Sequence, residues 1–79
     1  MKYVYILRSL GADERFYVGL TDDLRERLRK HNAGEVPHTS KFRPWAVKTY
    51  LGFDNPDRAV AFERYLKSPS GRAFARKRL

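Results

Sequence analysis

The sequence has 79 residues, with 17 lysines and arginines against 9 aspartates and glutamates, so its formal net charge is +8. A chain of this length supports one domain with a small core, and we predict a single domain over residues 1–79. The charge favours polyanionic partners, and nucleic acid, either DNA or RNA, is the first candidate. Because the chain has no cysteine, disulfide bonds and thiolate-bound zinc are excluded.

A membrane surface is the rival partner for such a basic chain. No apolar run approaches the roughly 20 residues that a membrane-spanning helix needs. The N-terminal residues also lack the charged and apolar regions of a secretory signal peptide. We therefore expect a soluble, cytoplasmic protein that has no membrane partner.

The first two elements are predicted to be strands joined as a hairpin. Residues 2–7 and 16–20 are apolar and aromatic with partial alternation, which is typical of half-buried strands. The stretch Gly11–Arg15 between them carries turn-forming residues. An antiparallel hairpin is the simplest connection between these strands.

A helix is predicted directly after the hairpin. Thr21 or Asp22 can cap its N-terminus, and Gly34 can end it. Leu24 and Leu28 are four residues apart and therefore share a stripe that faces the core. This helix is expected to pack beside the two strands.

The second half of the sequence alternates in the same way between extended and helical patterns. Pro37 marks a loop, Pro56 fits the first turn of a helix, and Ser68–Gly71 is expected to break that helix. The predicted loop, strand, helix and short basic helix lie at residues 35–44, 45–53, 54–67 and 72–79. The predicted fold class is α+β, an α/β sandwich-like arrangement with a small, mostly antiparallel three-stranded sheet flanked by helices.

Two tyrosine triplets are the most specific feature of the sequence. Tyr3-Val4-Tyr5 lies in the first predicted strand and Tyr17-Val18-Gly19 in the second, and the following helix carries Arg27 and His31 four residues apart. The stripe that holds Arg27 and His31 borders the hairpin. One surface is therefore predicted to collect two phenols, an arginine and a histidine.

This order of triplets and helix resembles the GIY-YIG nuclease superfamily. Tyr3-Val4-Tyr5 stands where that family has Gly-Ile-Tyr, and Tyr17-Val18-Gly19 stands where it has Tyr-Ile-Gly. Arg27 and His31 match the arginine and histidine of the family, and Glu63 falls where the family has its metal-binding glutamate. The resemblance covers nearly the whole chain. It is strongest to the small stand-alone branch related to the excision-repair nuclease and to intron-encoded endonucleases.

The resemblance implies a metal-dependent endonuclease that hydrolyses phosphodiester bonds in DNA, with a role in DNA repair or recombination. Glu63 would bind Mg²⁺ or Mn²⁺, because a hard cation that keeps several waters needs only one or two protein oxygens. Arg27 offers a fork of donors that matches a phosphate. Either Tyr5 or Tyr17 would orient the attacking water or take its proton, and His31 would orient a phenol or contact a phosphate.

Basic residues outside this set are predicted to contact the phosphates of a nucleic acid. Most of them lie in the C-terminal segment, where no acidic residue follows Glu63. Such one-sided charge favours phosphate contacts over a solvated helix face. The predicted contacts are Lys41, Arg43, Arg72, Arg76, Lys77 and Arg78.

Each of these assignments has a simpler alternative. Arg27 could pair with Asp23, Glu63 could pair with Lys67, and the tyrosines could be ordinary strand aromatics. The matching functional alternative is a non-catalytic nucleic-acid-binding domain. A protein-interaction subunit is a third reading, but it leaves the charge unexplained. We favour a structure-selective or weakly sequence-specific endonuclease, because a carboxylate in a basic cleft repels nucleic acid unless a cation intervenes.

Overall fold

The computed structural model describes residues 1–79 and contains three strands and three α-helices. The strands are β1 (Lys2–Ser9), β2 (Phe16–Thr21) and β3 (Trp45–Phe53). The helices are α1 (Leu24–Asn32), α2 (Pro56–Lys67) and α3 (Pro69–Arg78), and a short 3₁₀ helix spans Ser40–Phe42. The longest helix has 12 residues, and none is long and apolar enough to cross a membrane.

The strands form one antiparallel sheet in the order β2-β1-β3, which confirms the predicted α+β class and hairpin. The central strand β1 is buried on both faces: the exposed fraction of residues Val4 to Leu7 is 4% or less. Tyr5 pairs with Gly19 on one side and with Tyr50 on the other. The central position of β1 therefore fixes Tyr5 in the middle of the sheet.

Helices cover both faces of the sheet. On one face, Val4 and Ile6 of β1 pack against Ala59 and Leu66 of α2. On the other face, the buried cluster of Tyr5, Leu7 and Trp45 packs against Leu24 and Leu28 of α1. The two leucines therefore occupy the core-facing stripe that their spacing predicts, and α1 lies on the same face as the Tyr5 side chain.

The N-terminus of α1 differs from the prediction by one residue. Asp23 is the N-cap, and its Oδ1 accepts a hydrogen bond from the Glu26 amide at 3.1 Å. Thr21 is the last residue of β2, and Asp22 pairs with Lys2 at 3.3 Å, so neither of the predicted caps is available. Gly34 follows the helix with a φ of 78°, a conformation that favours glycine.

The predicted break before the last helix is confined to Ser68. Helix α3 begins at Pro69, three residues earlier than expected, because Ser68 Oγ accepts a hydrogen bond from the Gly71 amide at 3.1 Å and caps the helix. A β-carbon at Gly71 would collide with the carbonyl of Tyr65. Gly71 therefore allows α3 to approach the end of α2 closely instead of breaking a helix.

Candidate active site

Tyr5 is the centre of the candidate site. Its side chain is only 1% exposed and lies across the backbone of the paired strand β2 at Gly19. A β-carbon at Gly19 would overlap the hydroxyl end of the Tyr5 ring. Gly19, the last residue of the second triplet, therefore has a packing role, because the absence of a side chain makes room for Tyr5.

A chain of hydrogen bonds runs through the Tyr5 hydroxyl. Arg27 Nε donates to Tyr5 Oη at 3.3 Å, and Tyr5 Oη lies 2.9 Å from His31 Nε2. His31 Nδ1 lies 2.8 Å from Thr39 Oγ1, which donates to the Val36 carbonyl at 3.3 Å. One direction of the chain gives every proton an acceptor: His31 carries its proton on Nδ1, and the Tyr5 hydroxyl donates to His31 Nε2.

The ionisation states in this chain follow from burial. His31 has no exposed surface, and its burial, assisted by the charge of Arg27, lowers its pKa to about 4. Burial also raises the pKa of Tyr5, against the lowering effect of the hydrogen bond from Arg27. The hydrogen bond to Tyr5 raises the pKa of Arg27. At neutral pH this series of hydrogen-bonded side chains therefore contains a charged Arg27, a neutral Tyr5 and a neutral His31.

Tyr17 joins the same group of side chains from the edge strand β2. Its ring centroid lies 4.9 Å from that of His31 and 6.3 Å from that of Tyr5. An interaction between Tyr17 and Arg27 also contributes to the raised pKa of Arg27. Tyr17 is half-buried whereas Tyr5 is fully buried. The structure thus separates two tyrosines that the sequence treats alike, and Tyr17 is the one that solvent can reach.

Glu63 lies on helix α2, which packs on the face of the sheet opposite to α1. Its side chain is 16% exposed, and its Oε2 forms an ion pair with Lys67 Nζ at 2.6 Å. The pKa of Tyr5 is raised mainly by burial, and the charge of Glu63 adds a smaller contribution in the same direction. The Glu63–Lys67 pair considered from the sequence is therefore present in the structure.

The donor set around Glu63 fits one type of metal. The structure contains no group of three or more histidine, aspartate or glutamate side chains that could hold a metal ion. A single carboxylate suits Mg²⁺ or Mn²⁺, which keep several waters and also bind substrate phosphates. The residues present therefore fit a hard cation shared with the substrate.

One of the simpler alternatives, the pairing of Arg27 with Asp23, is wrong in this structure. Asp23 caps α1 and forms no ion pair with Arg27, whose Nε is directed at Tyr5 instead. His31 is neither a cap nor a solvated residue, because it is buried with both ring nitrogens hydrogen-bonded. Its burial also prevents contact with a phosphate, so of the two roles expected for His31 only the orientation of a phenol is compatible with its position.

Two of the predicted nucleic-acid contacts lie beside the site. Arg72 and Arg76 line a groove of about 900 Å³, and Tyr17 lines the same groove. Lys77 and Arg78 are exposed on α3 and do not line this groove. Of the four predicted contacts on α3, Arg72 and Arg76 therefore share a groove with Tyr17, whereas the other two lie outside it.

The other two predicted contacts follow α1. Lys41 is exposed in the 3₁₀ helix. Arg43 is also exposed, but its Nε donates to the Ser40 carbonyl at 2.8 Å, and its guanidinium packs over Gly34, where a β-carbon would lie 2.6 Å from Nη1. Arg43 therefore orders the turn after α1, and its contact with a nucleic acid stays a prediction.

Sequence reasoning missed two residues that support the site. Thr39 is 1% exposed and fixes the tautomer of His31. Asn32 ties the end of α1 to the start of β3, because its amide accepts a hydrogen bond from the Trp45 N–H at 2.6 Å and donates to the Trp45 carbonyl at 3.0 Å. Both are polar residues in segments that look solvated in the sequence, and only their tertiary contacts reveal these roles.

The role of Thr39 leads to a prediction about stability and activity. Thr39→Val keeps the size of the side chain but leaves the buried His31 Nδ1–H without an acceptor, which is expected to lower the free energy of unfolding by about 1–3 kcal/mol. We also expect slower cleavage, because His31 no longer holds the Tyr5 hydroxyl in one orientation. Urea unfolding and single-turnover cleavage of Thr39→Val and Thr39→Ser test this, since serine keeps the hydroxyl and should restore both. Wild-type behaviour of Thr39→Val would contradict the role of the hydroxyl.

Comparison with known proteins agrees with this geometry. The family model for the GIY-YIG catalytic domain matches residues 1–78. A UPF0213 protein of Streptococcus pyogenes serotype M5 is 35% identical over 72 residues, which cover 90% of this chain and 76% of that protein. The structure-specific endonuclease subunit SLX1 of Debaryomyces hansenii is 37% identical over 73 residues, which cover 84% of this chain and 21% of that protein. With the family match extending over nearly its whole length, the chain belongs to the GIY-YIG family of nuclease domains.

Proposed function

We propose that this chain is a divalent-metal-dependent endonuclease that hydrolyses phosphodiester bonds in DNA, in repair or recombination. The observation that carries the proposal is the hydrogen bond from the charged Arg27 to the buried Tyr5 hydroxyl, which His31 and Thr39 hold in turn. A domain that only binds phosphate needs a cation but not three further side chains, hydrogen-bonded in series, that orient it. Preorganised donors of this kind stabilise charge that develops in a transition state.

Arg27 is the group that stabilises the reacting phosphate in this mechanism. Its Nε is committed to Tyr5, so the plane of the guanidinium is fixed. The Nη groups then serve as donors for the oxygens of the scissile phosphate, where negative charge grows during hydrolysis. Burial raises the pKa of Tyr5, so this phenol keeps its proton and acts as a positioning group.

Tyr17 is assigned to the attacking water, because its side chain is the solvent-accessible one of the pair. Its hydroxyl accepts a hydrogen bond from that water and holds the water beside the phosphate that Arg27 binds. Glu63 would hold Mg²⁺ or Mn²⁺, which supplies positive charge to the phosphate and the leaving oxygen when bound. Lys67 competes for one oxygen of this carboxylate and leaves the other.

The alternative function, nucleic-acid binding without cleavage, rests on the ion pair between Glu63 and Lys67. A carboxylate that Lys67 neutralises does not need a metal ion to coexist with a nucleic acid. The two functions differ in a direct assay: labelled single-stranded, duplex and flap DNA incubated with Mg²⁺, Mn²⁺ or EDTA. Cleavage with either metal and none in EDTA supports the enzyme, and binding without cleavage under every condition supports the alternative. An Arg27→Ala protein prepared in the same way controls for contaminating nucleases.

The basic residues of α3 lead to a prediction about salt dependence. Each phosphate contact that is neutralised lowers the slope of log affinity against log salt by about 1, because fewer counterions are released. Replacing both Arg72 and Arg76 by Gln should therefore flatten the slope by about 2. The pair Lys77→Gln and Arg78→Gln removes the same charge outside the groove and should have a smaller effect. If neither pair changes the slope, the helix is a solvated face and the contacts must lie around Lys41 and Arg43.

A further inference from the structure

Phe16 has a large aromatic side chain that belongs neither to the hydrophobic core nor to the proposed catalytic residues. It opens β2 directly before Tyr17, it is 45% exposed, and it belongs to neither buried cluster. The ammonium group of Lys48 lies 5.3 Å from the centroid of its ring. A single exposed apolar residue is ordinary on a protein surface, so its surroundings decide whether it has a function.

These surroundings are a groove with an apolar floor and a cationic rim. Phe16 and Tyr17 both line it, and three different elements supply its cations. Asp13 and Glu14 of the hairpin turn line it as well, but basic side chains outnumber them. The principal cations are Lys48 of β3, Lys67 of α2, and Arg72 and Arg76 of α3.

An apolar floor with a cationic rim is suited to a single strand of nucleic acid. Proteins that bind such strands combine cations that contact the backbone with aromatic rings that stack on the bases. The faces of the bases in a duplex are covered by neighbouring base pairs, and only their edges are accessible in the grooves. An aromatic ring on the protein surface can therefore stack only on a base that is unpaired or at an end.

We propose that Phe16 and Lys48 form a stacking site for one unpaired nucleobase, adjacent to the phosphate that Arg27 binds and to the water that Tyr17 holds. The inference rests on the proposed function for the identity of the ligand, and it adds that the substrate has an unpaired nucleotide beside the cleaved bond. Phe16 and Tyr17 both lie on β2, which forms one edge of the sheet. Consecutive residues of β2 point to opposite faces of the sheet, so a strand crossing this edge meets Phe16 on one side and Tyr17 on the other.

The test is the affinity of the whole protein for DNA in EDTA, where no cleavage interferes. Phe16→Ala should weaken binding of a single-stranded oligonucleotide by about 5- to 150-fold, the range of one base–aromatic stack, and leave binding of a duplex of equal length nearly unchanged. Phe16→Trp keeps a ring and should bind like the wild type. Tyr50→Ala is the matched control, because Tyr50 is 55% exposed and lies outside the groove.

A second measurement assigns the effect to a base. Oligonucleotides in which one position at a time is abasic should reveal a position that weakens wild-type binding, and this position should have little further effect in Phe16→Ala, because the two changes remove the same contact. Unchanged single-strand affinity in Phe16→Ala would overturn the proposal. An equal loss on duplex DNA and on an acidic peptide would also overturn it and would indicate a general anion site or a protein partner.

These outcomes separate the stacking site from the enzymatic activity. Cleavage with Mg²⁺ or Mn²⁺ together with an unchanged affinity of Phe16→Ala would overturn the stacking site and leave the proposed function intact. A selective loss of single-strand binding in Phe16→Ala, without cleavage by the wild type in either metal, would support the stacking site in a binding domain. Circular dichroism of each variant confirms that the fold is retained.

Discussion

Glu63→Gln is expected to abolish metal-dependent cleavage and to leave both the fold and DNA binding nearly intact. Glutamine keeps the size of the side chain but removes the charged oxygens that a hard cation binds. The substitution also releases Lys67 from its ion pair, and the added positive charge should favour DNA binding rather than weaken it. Single-turnover cleavage at saturating Mg²⁺ and DNA affinity in EDTA measure the two effects separately.

Glu26→Gln is the matched control for this variant. Glu26 also forms an ion pair with a basic residue of its own helix, Arg29, at 2.8 Å, but it is exposed and outside the site. The control should cleave like the wild type. Binding of Mn²⁺ in the presence of a non-hydrolysable DNA, followed by electron paramagnetic resonance, should be weakened only in Glu63→Gln. Full activity of Glu63→Gln, or undiminished cleavage by the wild type in EDTA, would contradict the metal role.

The sequence predicted the elements that local patterns determine. Alternating aromatic residues and a turn between them were sufficient for the hairpin, and the spacing of Leu24 and Leu28 placed the core face of α1. The cap of α1 was missed because three consecutive residues, Thr21 to Asp23, all have capping side chains. Pairing of β2 and the contact of Asp22 with Lys2 decide between them, and both are tertiary interactions.

The sequence predicted that Tyr5, Tyr17, Arg27 and His31 lie together, but it predicted neither the support from Thr39 nor the division of roles. The two triplets and the spacing of Arg27 and His31 indicated one shared surface, which the structure confirms for the tyrosines and the helix. The difference between Tyr5 and Tyr17 comes from burial: β1 is the central strand and β2 is an edge. Strand order and burial depend on the whole fold, so a sequence motif alone could not separate the two phenols.

Arg27→Ala is expected to lower the cleavage rate by about 10²-fold or more, the usual scale for one preorganised donor, with a smaller change in DNA affinity. The substitution removes the fork of donors at the phosphate. It also removes the hydrogen bond that lowers the pKa of Tyr5, so this phenol becomes still harder to ionise. Single-turnover rates and equilibrium binding of the same DNA, measured side by side, give the two quantities.

Two further variants separate charge from geometry in this prediction. Arg25→Ala removes an arginine from the same helix that is exposed and outside the site, so it should change affinity slightly and the rate very little. Arg27→Lys keeps the charge but replaces the planar fork with a single flexible ammonium group. Because Tyr5 holds Arg27 through Nε, lysine should restore DNA affinity and only a small part of the rate. If Arg27→Ala loses rate and affinity by the same factor, Arg27 only positions the DNA and does not stabilise the transition state.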